Sequence, residues 1–130
     1  LGPTADLDGF TLQNRWVSEA EMEAAARAAD IIVLPYTEAS QSGVVAMAMG
    51  AATPVVATRI GGLAEQVIEG ETGLRVAPEA EALAQALVRL AENPALYARL
   101  SAGAAAHAAG ALSWKNIAAV YAALARGERP

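Results

Sequence analysis

The chain has 130 residues, of which 55% are hydrophobic, with no cysteine and a formal net charge of −5. The lack of cysteine excludes disulfides, thiolate catalysis and Cys-ligated zinc. The acidic balance lacks the clustered Lys and Arg of a nucleic-acid footprint. One histidine, His107, has no partner for a His-based metal site and reads as a plain helix residue in the run Ala104 to Ala109.

In chain order, Phe10 to Trp16 alternates loosely and predicts a strand. Ser18, with Glu21 three residues on, is a capping-box pattern. It opens a helix that keeps apolar spacing through Met22, Ala25, Ala26 and Ala29 and ends at Asp30. Ile31 to Leu34 is an unbroken, mostly β-branched apolar run of the kind found in strands covered on both faces. A polar turn, Thr37 to Ser42, leads into an apolar helix from Gly43 to about Ala52. Pro54 opens a second strand, Val55 to Thr58, and Gly61-Gly62 makes the next turn. A short helix over Leu63 to Ile68 and a third strand over Leu74 to Val76 follow.

From Glu79 the pattern is helical, with Leu83, Leu87 and Leu90 on one face. Asn93-Pro94 starts another helix, with proline in its first turn. Ser113 caps the last helix, which carries Trp114 as its packing anchor along with Ile117, Val120 and Tyr121. Met22, Met47 and Met49 read as core. The tail Arg126 to Pro130 is expected to fray. Strands alternating with helices predict an α/β fold, a Rossmann-like parallel sheet flanked by helices and joined by right-handed crossovers. The uncharged stretch Ala39 to Thr58 raises the membrane question, but its polar start, Pro54 and mostly small apolar residues fit a buried helix and strand better. With no basic-plus-apolar leader visible, the expected setting is cytoplasmic.

In open α/β sheets, ligands sit beyond the carboxyl ends of the strands. Three turns meet that description: Tyr36 to Gly43, Arg59 to Gly62, and the less distinctive Ala77 to Glu79. In the first, Ser40, Gln41, Ser42 and Gly43 lead directly into a helix, whose free amides and positive end suit a phosphate. The same residues also read as a simple N-cap. Gly61-Gly62 reads as a tight turn or a ligand approach. Glu65 suits either the dipole of its helix or a ligand hydroxyl. Glu38 either accepts hydrogen bonds from a sugar or is a solvated loop charge. Arg15 meets a phosphate or, as the leading expectation, pairs with a surface carboxylate. No Ser-His-Asp set, Walker pattern or G-x-G-x-x-G fingerprint is present.

Several segments in order carry a family likeness: Asn14 to Ser18, Ala29 to Tyr36, Ser40 to Val44 and Pro54 to Thr58. Gly61-Gly62, Glu65, Gly70, Thr72-Gly73 and Val76 continue it. Together they resemble the C-terminal, donor-binding domain of family 4 (group 1) glycosyltransferases of the GT-B fold. The helical tail with Ser113-Trp114 also fits. The resemblance implies a retaining transfer of a sugar from a nucleotide diphosphate sugar to an acceptor. The donor would enter as substrate, with no cofactor and no metal. The Ser42-Gly43-Val44 amides would face the donor phosphate or sugar, and Gly61-Gly62 would line the same cleft.

This sequence departs from the family pattern in two places. Relatives typically carry two glutamates flanking the Gly-rich turn, one for the donor sugar and one for the nucleotide ribose. Their positions fall at Ala39 and Met47 here. Glu38 adjoins the first and is its candidate substitute. The second is absent, as in a Ser-Gln-Ser-Gly-Val variant of the family. The resemblance further implies upstream strand–helix units carrying an Arg and a Lys for the diphosphate, and an N-terminal acceptor domain. Neither is in this sequence, so residues 1–130 read as one partial domain, inactive alone. Its first strand then reads as an open edge with a tendency to self-associate. The competing reading is a non-catalytic nucleotide-sugar-binding or interaction module on the same scaffold. A third is another GT-B enzyme such as a nucleotide-sugar 2-epimerase. The Ala-rich composition points to a GC-rich bacterial genome.

Overall fold

The computed structural model describes residues 8–128. Among them, three short strands form one parallel sheet: β1 (Ile32–Leu34), β2 (Val55–Thr58) and β3 (Gly73–Val76), in the order β1-β2-β3. β1 and β2 pair as Ile32↔Val55 and Leu34↔Ala57; β2 and β3 pair as Val55↔Gly73 and Thr58↔Val76. The central strand is buried at every position, which explains its run of small and β-branched residues.

Helices cover both faces. Side chains alternate along a strand, so neighbouring residues of β2 serve opposite cores. Val55 and Ala57 join Leu34, Val45, Met49, Leu63 and Val67 on one side. Val56 joins Leu74, Ala86, Leu90, Leu96 and Leu100 on the other. The first core is supplied by α2 (Gly43–Gly50) and α3 (Leu63–Gln66), the second by α4 (Ala80–Glu92) and α5 (Pro94–Ala109). The Leu83, Leu87, Leu90 face of α4 is the one that packs. α5 reaches both cores, placing Ala104 in the first and Leu96 and Leu100 in the second.

The helix starts follow the capping chemistry. Ser18 caps α1 (Glu19–Ala28) in a complete capping box with Glu21. Glu21 also accepts from Arg15 at 2.7 Å, which settles Arg15 as a surface partner rather than a free cation. Its carboxyl is lowered to about 2, first by Arg15 and then by the Ser18 backbone and hydroxyl. Asn93 caps α5 through the Leu96 amide, with Pro94 at the helix start. Ser113 caps α6 (Trp114–Ala125) through the Asn116 amide.

The structure corrects four expectations. Phe10 to Trp16 forms no strand; Phe10 is 49% and Trp16 89% exposed. A strand needs a paired edge to satisfy its backbone, and no described strand lies against this segment. Trp114 anchors nothing: it is 84% exposed, and α6 contributes no buried residue. Of the three methionines only Met49 is core; Met47 is half-buried and Met22 exposed. α2 ends at Gly50 and α3 at Gln66, each shorter than its apolar pattern implied. Of the expected frayed tail, Arg126 and Glu128 form an ion pair, and residues 129–130 lie outside the described chain. Among the described residues no helix is long and apolar enough to cross a membrane.

Candidate functional site

The carboxyl ends of β1 and β2 each open into a loop, and the two loops touch. Gly61 has a φ of +44°, and a Cβ there would strike the Ala39 carbonyl oxygen; a Cβ on Gly62 would strike that of Ser40. Glycine is therefore required at both positions by backbone contact, and at Gly61 by its left-handed conformation as well. Below this contact, the buried Thr58 hydroxyl donates to the Tyr36 carbonyl at 2.6 Å, tying the start of the first loop to β2.

A second tie comes from α3. The Gln66 side chain accepts from the Ser42 amide at 2.8 Å and donates to the Ser42 carbonyl at 3.2 Å. One amide group thus grips both polar atoms of one peptide residue. Ser42 is buried, and its hydroxyl accepts from the Val44 amide at 3.3 Å to cap α2. The Ser42 carbonyl takes the Val45 amide. The Gly43 amide, the first of α2, has no hydrogen-bond partner among the described residues. It stands at the positive end of α2, and nothing lies within 4 Å of where a Cβ on Gly43 would be.

Gly43 opens onto a cleft of about 340 Å³ between α1 and α2, lined by Glu19, Glu23, Arg27, Gly43, Met47 and Gly50. Glu23 and Arg27 pair at 2.6 Å. Met47 supplies the apolar part of the α2 wall.

The structure thus gathers Ser40, Gln41, Ser42, Gly43, Val44, Gly61 and Gly62 into one assembly of two loops and a helix start. Ser40 and Gln41 are exposed; the Val44 amide is engaged by Ser42, and its side chain packs on the first core. Glu38 is exposed in the same loop and makes no hydrogen bond to a described residue. Glu65 stands apart: it lines a separate cavity of about 140 Å³ with Val45, Met49 and His107. Sequence reasoning missed Gln66, whose role depends on a contact across 24 residues. It also missed the α1 wall of the cleft, although the spacing of Glu19, Glu23 and Arg27 places all three on one helix face. Among the described residues no group of three or more His, Cys, Asp or Glu could hold a metal ion.

The model of a family described as "Glycosyl transferases group 1" matches residues 5–93. A D-inositol 3-phosphate glycosyltransferase of Arthrobacter sp. (strain FB24) is 35% identical over 117 residues, which is 89% of this chain and 28% of that protein. A glycogen synthase of Mycobacterium tuberculosis is 36% identical over 119 residues, 87% of this chain and 28% of the relative. Among solved structures, sucrose-phosphate synthase from Thermosynechococcus elongatus superimposes with a TM-score of 0.70 at 35% identity, covering 79% of this chain and 26% of that one. The Anabaena protein HepE in complex with UDP superimposes with a TM-score of 0.62 at 29% identity, over 65% of this chain and 24% of that one. This chain spans about a quarter of the length of these relatives. The parallel sheet, the paired loops at its carboxyl end and the match over residues 5–93 agree: the chain belongs to the group 1 glycosyl transferases and carries part of their GT-B fold.

Proposed function

We propose that this chain is the donor-binding part of a glycosyltransferase that moves a sugar, with retention, from a nucleotide diphosphate sugar to an acceptor. The observation that carries the reading is the unpartnered Gly43 amide at the start of α2, at the carboxyl end of the sheet and at the mouth of a cleft between α1 and α2. A helix start presents free N–H groups and a positive dipole to an anion, and the diphosphate is the anionic part of such a donor. The Gln66 clamp and the glycine contact fix that amide before any ligand arrives, so little ordering remains to be done on binding. Family membership supports the transferase chemistry, and the neighbour solved with UDP supports a nucleotide as the ligand class. Exposed Glu38 is the candidate for a donor-sugar hydroxyl. The acceptor would be held by a domain outside these residues, and the setting we infer is the bacterial cytoplasm.

One observation favours the competing reading, a non-catalytic module on the same scaffold: Met47 and Ala39 stand where relatives typically carry carboxylates. Calorimetry of the full-length protein against UDP-, GDP- and ADP-sugars separates the two. Binding of one donor, abolished by Gly43→Trp, is expected for the transferase. The substitution meets open space, so the fold should tolerate it while the indole fills the cleft. A well-folded protein that binds no donor would move the reading to the non-catalytic module.

A further inference from the structure

β3 carries one charged residue, Arg75, between Leu74 and Val76. It lies at the sheet edge away from β1, beside a cleft of about 260 Å³ between β3 and α4. The Arg75 backbone is closed to an added strand. Its amide donates to the Glu69 carboxylate, and its carbonyl accepts from the Arg59 guanidinium at 3.4 Å. Side chains that occupy an edge in this way keep other chains from pairing with it. The cleft therefore suits a small ligand rather than an extended peptide.

The Arg75 guanidinium is only partly committed. Nη1 donates to the Ala64 carbonyl at 2.9 Å. Nε is buried without a hydrogen bond, 3.8 Å from the Glu69 carboxylate. Nη2 has no partner among the described residues and is not buried, so it remains open to a ligand. Arg89 brings a second guanidinium to the same cleft, from the α4 face it shares with Ala82, Gln85 and Ala86. It is exposed and has no hydrogen-bond or ion-pair partner among the described residues. Gln85 has spent its amide nitrogen on Glu81 at 2.9 Å. One carboxylate, Glu69, lines the cleft, and its Oε2 already accepts the Arg75 amide. Two positive charges thus face one negative charge, in a chain whose net charge is −5.

A guanidinium presents its donors as a planar fork that matches the oxygens of phosphate or carboxylate. Two forks from separate elements favour phosphate. Its three acceptor oxygens point in different directions, whereas a carboxylate offers two in one plane. The cleft volume lies under the roughly 300 Å³ at which pockets for drug-sized ligands begin. It leaves room for a phosphate with a small organic body at most.

We propose that Arg75 and Arg89 form an anion site for a phosphate group at the β3 edge. It shares no lining residue with the cleft at the α2 start and does not depend on the donor reading.

Calorimetry of the full-length protein with inorganic phosphate, glycerol 3-phosphate and malonate, at constant ionic strength, tests this. Both phosphates are expected to bind, and malonate much more weakly. Arg89→Gln should weaken phosphate about tenfold, the scale of a hydrogen bond to a charged group. Because Arg89 is exposed, the fold should tolerate the change. Arg75→Lys, which keeps the charge and removes the fork, should weaken it by a similar factor. Arg126→Gln, in the tail, should not. Tighter binding of glycerol 3-phosphate than of inorganic phosphate would identify an organic phosphate as the occupant, and the reverse order free phosphate. Gly43→Trp should leave phosphate binding in place. Loss of phosphate binding in Gly43→Trp, full affinity in Arg89→Gln, or malonate binding as tightly as phosphate would each overturn the site. So would a wild type that binds no phosphate, and nucleotide-sugar binding by that same protein would leave the donor reading standing.

Discussion

Gln66 is the residue on which the loop geometry depends most. It satisfies the amide and the carbonyl of Ser42 together, and both atoms sit in a half-buried place where an unmet polar group costs free energy. Gln66→Met keeps the length and removes both bonds. Stability should fall by about 1–3 kcal/mol, read as a lower denaturant midpoint with an unchanged slope. Donor affinity should fall too, because the Gly43 amide would no longer be held in place. Unchanged stability would show that the clamp is incidental. This residue could not be found from sequence, since its neighbours Glu65 and Val67 give no hint that α3 turns it toward a loop formed by residues far earlier in the chain. Ser42 was legible, because a serine before an apolar helix has a local reason to be there.

At the scale of elements, the end of α2 carries backbone strain. The Ala52 amide bonds the Met49 carbonyl and the Thr53 amide bonds that of Ala48, a Schellman ending. That ending needs a left-handed residue, and here Ala52 holds it with a φ of 57°. Ala52→Gly should therefore stabilise the fold by about 0.5–1 kcal/mol, seen as a raised midpoint in urea. A decrease would mean that the methyl group contributes packing worth more than the strain. The three strands and the helix starts at Ser18, Ser42, Asn93 and Ser113 were legible because β-branched runs and capping residues act locally. Phe10 to Trp16 and Trp114 misled for one shared reason. Their apolar character implies burial, but whether they are buried depends on what stands opposite, which a local pattern does not contain.

Across the whole molecule, apolar surface is left exposed in two places. β1 ends the sheet with one edge unpaired among the described strands. Beside it runs an apolar groove of about 310 Å³ lined by Met22, Ala29, Ile32, Val33 and Val44. α6 presents Ile117, Val120, Tyr121 and Leu124 along a second groove of about 490 Å³. Open edges and apolar patches favour association. The 130-residue chain should therefore elute at an apparent mass that rises with concentration, and Val33→Lys on the β1 edge should reduce the effect. A monomer at every concentration would sink this expectation.

The interlocked loops have a different consequence. Because position 61 or 62 can carry no side chain while the Ala39 and Ser40 carbonyls lie against it, neither loop can be redesigned independently. Anyone transplanting donor preference between relatives would have to move Ala39–Gly43, Gly61–Gly62 and Gln66 as one cassette, even though they come from three separate stretches of sequence.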